Sequence, residues 1–157
     1  MPRAALGSLR PRRRGSLLAP SPAQGCVIDG EFLGPDAAIG AASRRDFDLL
    51  VIPGGTINSD SLRLNEPAPE FAKAFAADGK TIAAICHGPW LLVETRLVSG
   101  KQLTSYASVA TDIRNASGLW HDRELVTCDH NGWTLITSRS PQDLPAFNVA
   151  LTELAQA

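Results

Sequence analysis

The 157-residue sequence is poor in cysteine, in long apolar runs and in net charge. Its three cysteines, Cys26, Cys86 and Cys128, are an odd number without metal-ligand spacing, which argues against a disulfide scaffold and favours a reducing cytoplasm. No apolar run approaches the roughly 20 residues that span a bilayer. A formal net charge of −1 gives no overall attraction to nucleic acid or to membranes. The sequence therefore predicts a cytoplasmic protein without a metal site, a cofactor or a membrane partner.

Acidic residues are absent from the first 28 positions, although five arginines and four prolines lie there. We treat residues 1–20 as an atypical basic segment and residues 21–157 as one domain of ordinary composition. Three interpretations of the segment stay open. It resembles a transit peptide in being rich in arginine and free of acid, and it lacks the apolar centre of a secretory signal. A nucleic-acid arm is the weaker alternative, because no aromatic residues are interleaved, and an abnormal start is the third.

Apolar runs alternate with helical patterns along the domain. Residues 48–52 form a continuous apolar run, which is typical of a strand buried on both faces of a parallel sheet. A helical pattern over 66–78 separates it from a second such run at 81–85. The further predictions are a loop over 21–45 with short strands at 16–20 and 26–28, a helix over 89–96, a strand over 102–105, a helix over 108–116, a hairpin of 125–128 with 133–137, and a last helix from Pro141. This alternation predicts an α/β sandwich around a mostly parallel sheet.

The most informative stretch is the hexapeptide from Ala84 to Pro89, which carries Cys86 between a strand and a helix. A strand, a tight turn with a nucleophile and a helix together form a nucleophile elbow. The small residues Ala84 and Gly88 suit a turn too sharp to admit larger side chains. The N-terminus of the following helix favours thiolate over thiol. The alternative is an inert core cysteine, which is our interpretation of Cys26 and Cys128.

Chemically useful residues surround this predicted elbow. His87 follows Cys86 directly and suits the role of base or thiolate partner. Gly54 and Gly55 follow the predicted strand at 48–52, where their N–H groups, with that of His87, would form an oxyanion hole; a plain tight turn is the alternative. Asp60 and Glu66 are the candidates for the acid that orients the base, and solvated surface charges are the alternative for both.

Several segments together resemble the ThiJ/PfpI family, within the class I glutamine amidotransferase-like superfamily. The most specific are residues 46–55, which end in Pro-Gly-Gly, and residues 79–92, which contain Ala-Ile-Cys-His-Gly-Pro. Shorter matches lie at 61–65, 103–106, 111–116 and 137–145. The likeness is greatest to the branch of intracellular cysteine peptidases, general stress proteins and deglycases, and it runs from about residue 46 to the C-terminus.

The resemblance implies a flavodoxin-like fold and assembly into dimers or larger rings. It implies that Cys86 is the nucleophile, that His87 is its partner and that Tyr106 faces the nucleophile. The orienting acid in such proteins comes from a neighbouring subunit just after the Pro-Gly-Gly turn, and Asp60 matches that position. The implied substrates are glyoxal-type adducts of amino or thiol groups, or small peptides.

The front of the chain departs from the family pattern. Members begin with a strand, a turn and a helix, and the turn supplies a glutamate that hydrogen-bonds the nucleophilic sulfur. Neither that first strand and helix nor a matching glutamate is found here, so we predict an N-terminally incomplete domain with a truncated, misassigned or degenerate start. Two functions follow. The first is a cysteine-dependent hydrolase or deglycase-like stress protein; the alternative is a non-catalytic or redox-sensing member that acts through partners.

Overall fold

In the computed structural model, the described residues are 18–19, 26–28, 31–33 and 35–156, and the chain divides into two units, 1–41 and 42–157. Except for Leu18 and Ala19, the basic segment predicted at 1–20 lies outside the described residues.

The described residues of the N-terminal unit include four short strands. In chain order they are β1 (Leu18–Ala19), β2 (Cys26–Ile28), β3 (Glu31–Leu33) and β4 (Ala37–Ala38). Strand β1 pairs with β4 in parallel, and β2 pairs with β3 in an antiparallel hairpin. The prediction of a loop over 21–45 was therefore wrong for β3 and β4, whereas the short strand at 26–28 is confirmed. A signal was present, because the sequence places Asp29-Gly30 between β2 and β3, and Asp-Gly favours a two-residue hairpin turn.

A mostly parallel sheet forms the centre of the second unit. The strands of this unit are β5 (Leu49–Ile52), β6 (Thr81–Ile85), β7 (Gln102–Leu103), β8 (Leu119–Trp120), β9 (Val126–Cys128) and β10 (Leu135–Ser138). The sheet order is β5-β6-β10-β9; β5, β6 and β10 are parallel, and β9 forms the predicted antiparallel hairpin with β10. Strands β7 and β8 form a separate parallel pair.

Five α-helices accompany these strands in the described part of the unit. They are α1 (Thr56–Arg63), α2 (Pro67–Ala77), α3 (Pro89–Glu94), α4 (Ala110–Asn115) and α5 (Leu144–Gln156). Helices α2 to α5 match the predicted helical segments within a few residues. Helix α1 was not predicted, because six of its eight residues are polar or charged and they include Ser and Asn, which favour turns. None of the helices in the described ranges is long and apolar enough to cross a membrane.

The core lies on both faces of the sheet. Ala83, Ile85 and Ile136 pack with Phe147 of α5 in one buried cluster. Since side chains alternate along a strand, the fully buried Ile82 of β6 faces the other way, and α2 packs against this strand with the fully buried Phe75. This flavodoxin-like α/β arrangement confirms the predicted fold class.

The sheet brings two turns together: the Pro-Gly-Gly turn after β5 and the turn after β6 that carries Cys86. Strands β5 and β6 are parallel neighbours, with Ile52 in register with Ala84. Their carboxyl ends therefore lie side by side, where sites form in open α/β sheets. Among the described residues no strand pairs with the outer edge of β5, and Val51 is 44% exposed there.

Candidate active site

Cys86 lies on the tight turn between β6 and α3, as the sequence predicts. Its φ of +62° is a left-handed conformation, which is uncommon for a residue with a side chain and costs conformational energy. Two backbone hydrogen bonds hold it there: the Cys86 N–H donates to the Ser138 carbonyl at 3.0 Å, and the Tyr106 N–H donates to the Cys86 carbonyl at 2.8 Å. The side chain is half-buried and its thiol is free. The protein thus holds a strained, unpaired cysteine at the ends of its parallel strands.

His87 contacts the sulfur of Cys86 directly. Its Nδ1 lies 3.3 Å from Cys86 Sγ, and the residue is only 8% exposed. Desolvation by burial lowers the pKa of His87 below its usual 6.5, so the imidazole is neutral at pH 7. A neutral ring keeps one nitrogen lone pair and is therefore able to accept the thiol proton.

Two aromatic side chains enclose the His87 ring. Tyr106 stacks on it with centroids 4.8 Å apart, and Trp90 meets it edge-on at 5.2 Å. The indole N–H of Trp90 in turn donates to Asp112 Oδ2 at 2.7 Å. Tyr106 was expected to face the nucleophile, and the fold brings it to the histidine beside that nucleophile. Because both rings restrict rotation of the imidazole, its two nitrogens have defined directions.

The Pro-Gly-Gly turn after β5 lies against the elbow. A Cβ atom added to Gly54 would be 2.6 Å from Cys86 Cβ and 3.2 Å from its Sγ. Gly55, at φ +96°, precedes α1. In the hydrogen bonds found among the described residues, the N–H groups of Gly54 and His87 donate to no acceptor. Free N–H groups beside the sulfur suit the predicted oxyanion hole.

Asp60 and Glu66 are both exposed, the first on α1 and the second just before α2. Within the described part of one chain, neither carboxylate reaches His87. The Nε2 atom of His87 instead lies 3.1 Å from Ser108 Oγ and 3.5 Å from Thr56 Oγ1. Since the family resemblance implies that the acid comes from a second subunit, Asp60 stays a prediction.

Four residues near Cys86 and His87 were not identified as site residues from the sequence: Thr56, Trp90, Ser108 and Asp112. The partner that orients a catalytic histidine is typically a carboxylate, so the sequence pattern favours Asp and Glu over the hydroxyls of Thr56 and Ser108. A usable signal was present, because Ser108 lies two residues after Tyr106, in the short gap between the segments 103–106 and 111–116 that match the family pattern.

Replacing Gly54 with alanine should impair the site more than the fold. The added methyl group would clash with the Cys86 side chain, so the sulfur must move relative to His87. We expect turnover and the rate of Cys86 alkylation to fall by roughly 10- to 100-fold, since misplacing a reacting atom by about 1 Å has an effect of that size. Alkylation kinetics and urea unfolding of the variant measure the two effects separately. A variant that folds and reacts within twofold of the wild type would contradict this account of the turn.

Fold and site together define a class: flavodoxin-like α/β proteins that carry a cysteine on a nucleophile elbow beside a histidine. Within that class, residues 23–154 match the DJ-1/PfpI family. The chain therefore belongs to the DJ-1/PfpI family, and the resemblance to ThiJ/PfpI proteins is confirmed.

Individual relatives have stress-protein and deglycase names. General stress protein 18 of Bacillus subtilis is 43% identical over 113 residues, which are 72% of this chain and 63% of that protein. Protein/nucleic acid deglycase 2 of Escherichia coli is 38% identical over 113 residues, with the same coverage of both chains. This chain thus spans less than two thirds of the length of either relative.

A solved structure supports the fold independently. It is that of a two-domain protein containing DJ-1/ThiJ/PfpI-like and ferritin-like domains from Anabaena variabilis. The TM-score is 0.73 at 37% sequence identity, and the match covers 78% of this chain and 35% of the other.

Proposed function

We propose that the protein is a cysteine-dependent hydrolase or deglycase-like stress protein that acts on carbonyl adducts or small peptides. The observation that carries the proposal is the strained Cys86, whose sulfur lies 3.3 Å from Nδ1 of a buried, neutral His87. The stress-protein and deglycase names of its relatives support the same chemistry. A reducing compartment such as the cytoplasm suits this function, because the nucleophilic thiol must stay unpaired.

The chemistry begins when His87 Nδ1 accepts the proton of the Cys86 thiol. The thiolate then adds to a carbonyl carbon, and the N–H groups of Gly54, Gly55 and His87 stabilise the oxygen that becomes negative. With an aldehyde, that oxygen takes the proton back from His87 and a hemithioacetal results. With an amide, His87 gives the proton to the departing amine as the C–N bond breaks, and water later hydrolyses the thioester to regenerate the thiol. Tyr106, which stacks on the His87 ring, would line the side from which the substrate approaches Cys86.

The test is an assay of the full chain with two substrates: the hemithioacetal of a 2-oxoaldehyde with N-acetylcysteine, and a fluorogenic small peptide. We expect turnover of at least one of them. No turnover of either substrate, together with oxidation of Cys86 to a sulfenic or sulfinic acid at low peroxide, would overturn the proposal in favour of the redox-sensing alternative.

Asp60 enters the proposal through a second copy of the chain. Ile57, Asp60 and Leu64 are spaced three and four residues apart, so they share one face of α1 and its end. Ile57 is 84% and Leu64 is 75% exposed, and exposed apolar groups of this kind are typical of interfaces. Covering this face with another copy would bury both side chains and carry Asp60 to the partner. This supports a homodimer or larger homo-oligomer.

Mixing an inactive and an impaired variant tests whether the acid acts between copies. We expect Cys86→Ser to be inactive. We expect Asp60→Asn to lose about tenfold in turnover, because a carboxylate brought near His87 would stabilise the positively charged ring that forms when it accepts the thiol proton. After unfolding together and refolding as an equal mixture, about a quarter of the sites of a dimer would combine an intact Cys86 with an intact Asp60 from the partner. Recovery of turnover towards that fraction is the expected result. A mixture with no more turnover than its two components would contradict an acid supplied across an interface.

A further inference from the structure

The Nε2 atom of His87 is held inside the same chain, and this contact differs from the carboxylate that the resemblance implies. The Ser108 hydroxyl lies 3.1 Å from Nε2, well within hydrogen-bond distance, whereas the Thr56 hydroxyl at 3.5 Å is at the limit of that range. We infer that Ser108 is a positioning residue, which holds the His87 ring in the orientation that turns Nδ1 to the sulfur of Cys86. The inference rests on the proposed function, in which Cys86 and His87 form the reacting pair.

The turn that carries Ser108 is fixed to the elbow itself. Ser108 lies in the short helical turn Ala107–Val109, directly after Tyr106. The Tyr106 N–H binds the Cys86 carbonyl at 2.8 Å, and Val109 is fully buried. Ser108 is therefore anchored on both sides, and its hydroxyl has a defined position relative to the cysteine.

The two contacts of the imidazole select the same ring orientation. Rotated by 180° about its bond to Cβ, the ring would present Cδ2 to Cys86 and Cε1 to Ser108, so both polar contacts would be lost. A ring that accepts the thiol proton at Nδ1 must carry its own hydrogen on Nε2, and Ser108 Oγ is the acceptor for it. The same hydrogen bond persists once His87 is positively charged, and it then becomes stronger because its donor is charged.

A serine at this position also affects how strongly the protonated form of His87 is stabilised. A hydroxyl accepts the Nε2–H without a negative charge, whereas a carboxylate at this position would stabilise the imidazolium by Coulomb attraction. The Ser108 hydroxyl thus supports proton transfer from Cys86 without fixing the histidine in its protonated form. This agrees with a ring whose pKa is lowered by burial.

The experiment is the pH dependence of Cys86 alkylation by iodoacetamide, with turnover measured in parallel on the full chain. We expect Ser108→Ala to raise the pH midpoint by about one unit, since the lost hydrogen bond is to a charged group. Ser108→Thr should restore the midpoint, because it keeps the hydroxyl. Ser108→Asp should lower it below that of the wild type. Thr111→Ala, which removes an exposed hydroxyl from the neighbouring helix α4, is the matched control and should change nothing.

The outcomes separate this inference from the proposed function. If Cys86 is essential for turnover but the Ser108→Ala profile superimposes on that of the wild type, the inference is wrong and the function stands. The inference is equally wrong if Asp60→Asn shifts the midpoint and Ser108→Ala does not, because the acid of a second copy would then hold the ring. If the wild type turns over neither substrate, the proposed function is wrong. Shifts of the alkylation midpoint in opposite directions for Ser108→Ala and Ser108→Asp would still support the positioning of His87 by Ser108.

Discussion

Turnover should be lost when Cys86 is replaced with serine. Serine has almost the same size, so the elbow and its two backbone hydrogen bonds are kept. A serine hydroxyl is much harder to ionise than a thiol, and a neutral His87 with no carboxylate partner among the described residues of its chain is too weak a base to activate it. We expect kcat to fall by at least about a thousandfold, which is typical when a nucleophile is removed. The measurement is steady-state turnover of the hemithioacetal or peptide substrate.

Cys128→Ser is the matched control for this loss. Cys128 is 8% exposed and lies in β9, where its sulfur accepts a hydrogen bond from the Gln102 N–H. Replacing it makes the same chemical change away from the dyad, so turnover should stay within about threefold of the wild type if the variant folds. Equal losses in the two variants would point to damaged folding. Retained turnover in Cys86→Ser would refute Cys86 as the nucleophile.

Gly88→Ala should produce the largest loss of stability among the variants considered. A Cβ atom at Gly88 would be 2.7 Å from the Ile52 carbonyl oxygen, 3.0 Å from that of Ile85 and 3.1 Å from that of Pro53. All three are backbone atoms at the ends of β5 and β6, so no side-chain rotation relieves the clash. The free energy of unfolding should fall by roughly 3 kcal/mol, at the upper end of the effects of overpacking. Urea unfolding followed by circular dichroism measures this change.

Gly132→Ala separates steric clash from conformational cost. Gly88 has φ −50°, which alanine adopts freely, so only the clash opposes that substitution. Gly132 has φ +78° and nothing within 4 Å of an added Cβ, so only the left-handed backbone opposes it there, at about 1 kcal/mol. If Gly88→Ala is no more destabilising than Gly132→Ala, the tight apposition of the two strand ends is not what requires glycine at position 88.

The sheet and its order of elements were largely predictable, because continuous apolar runs and helical periodicity are local patterns. Residues 48–52 and 81–85 became β5 and β6, and the paired runs around Asn131-Gly132 became the hairpin of β9 and β10. Helix α1 was not predicted since six of its eight residues are polar or charged, including Ser and Asn, which favour turns. The hairpin of β2 and β3 was missed even though Asp-Gly marked it.

Long-range contacts between polar groups could not be predicted from local sequence patterns. Lys101 is fully buried, with its ammonium group donating to the carbonyls of Cys128, His130 and Trp133, and burial lowers its pKa. Nothing in its sequence neighbourhood distinguishes it from an exposed lysine. The Ser108 hydroxyl beside His87 is a second example, since 21 residues separate the two positions.

The sequence by itself determined the strand–turn–helix around Cys86, the family and the parallel sheet, because each follows from residues that are close in the chain or from a contiguous motif. Only the tertiary structure decided what surrounds His87. Burial lowers the pKa of its ring, and contacts with Tyr106 and Trp90 fix the plane of the ring. The Ser108 hydroxyl lies within hydrogen-bond distance of its Nε2. These depend on where α3 and the turn after β7 pack against the ends of β5 and β6. Such packing is a property of the assembled core, and no local pattern encodes it.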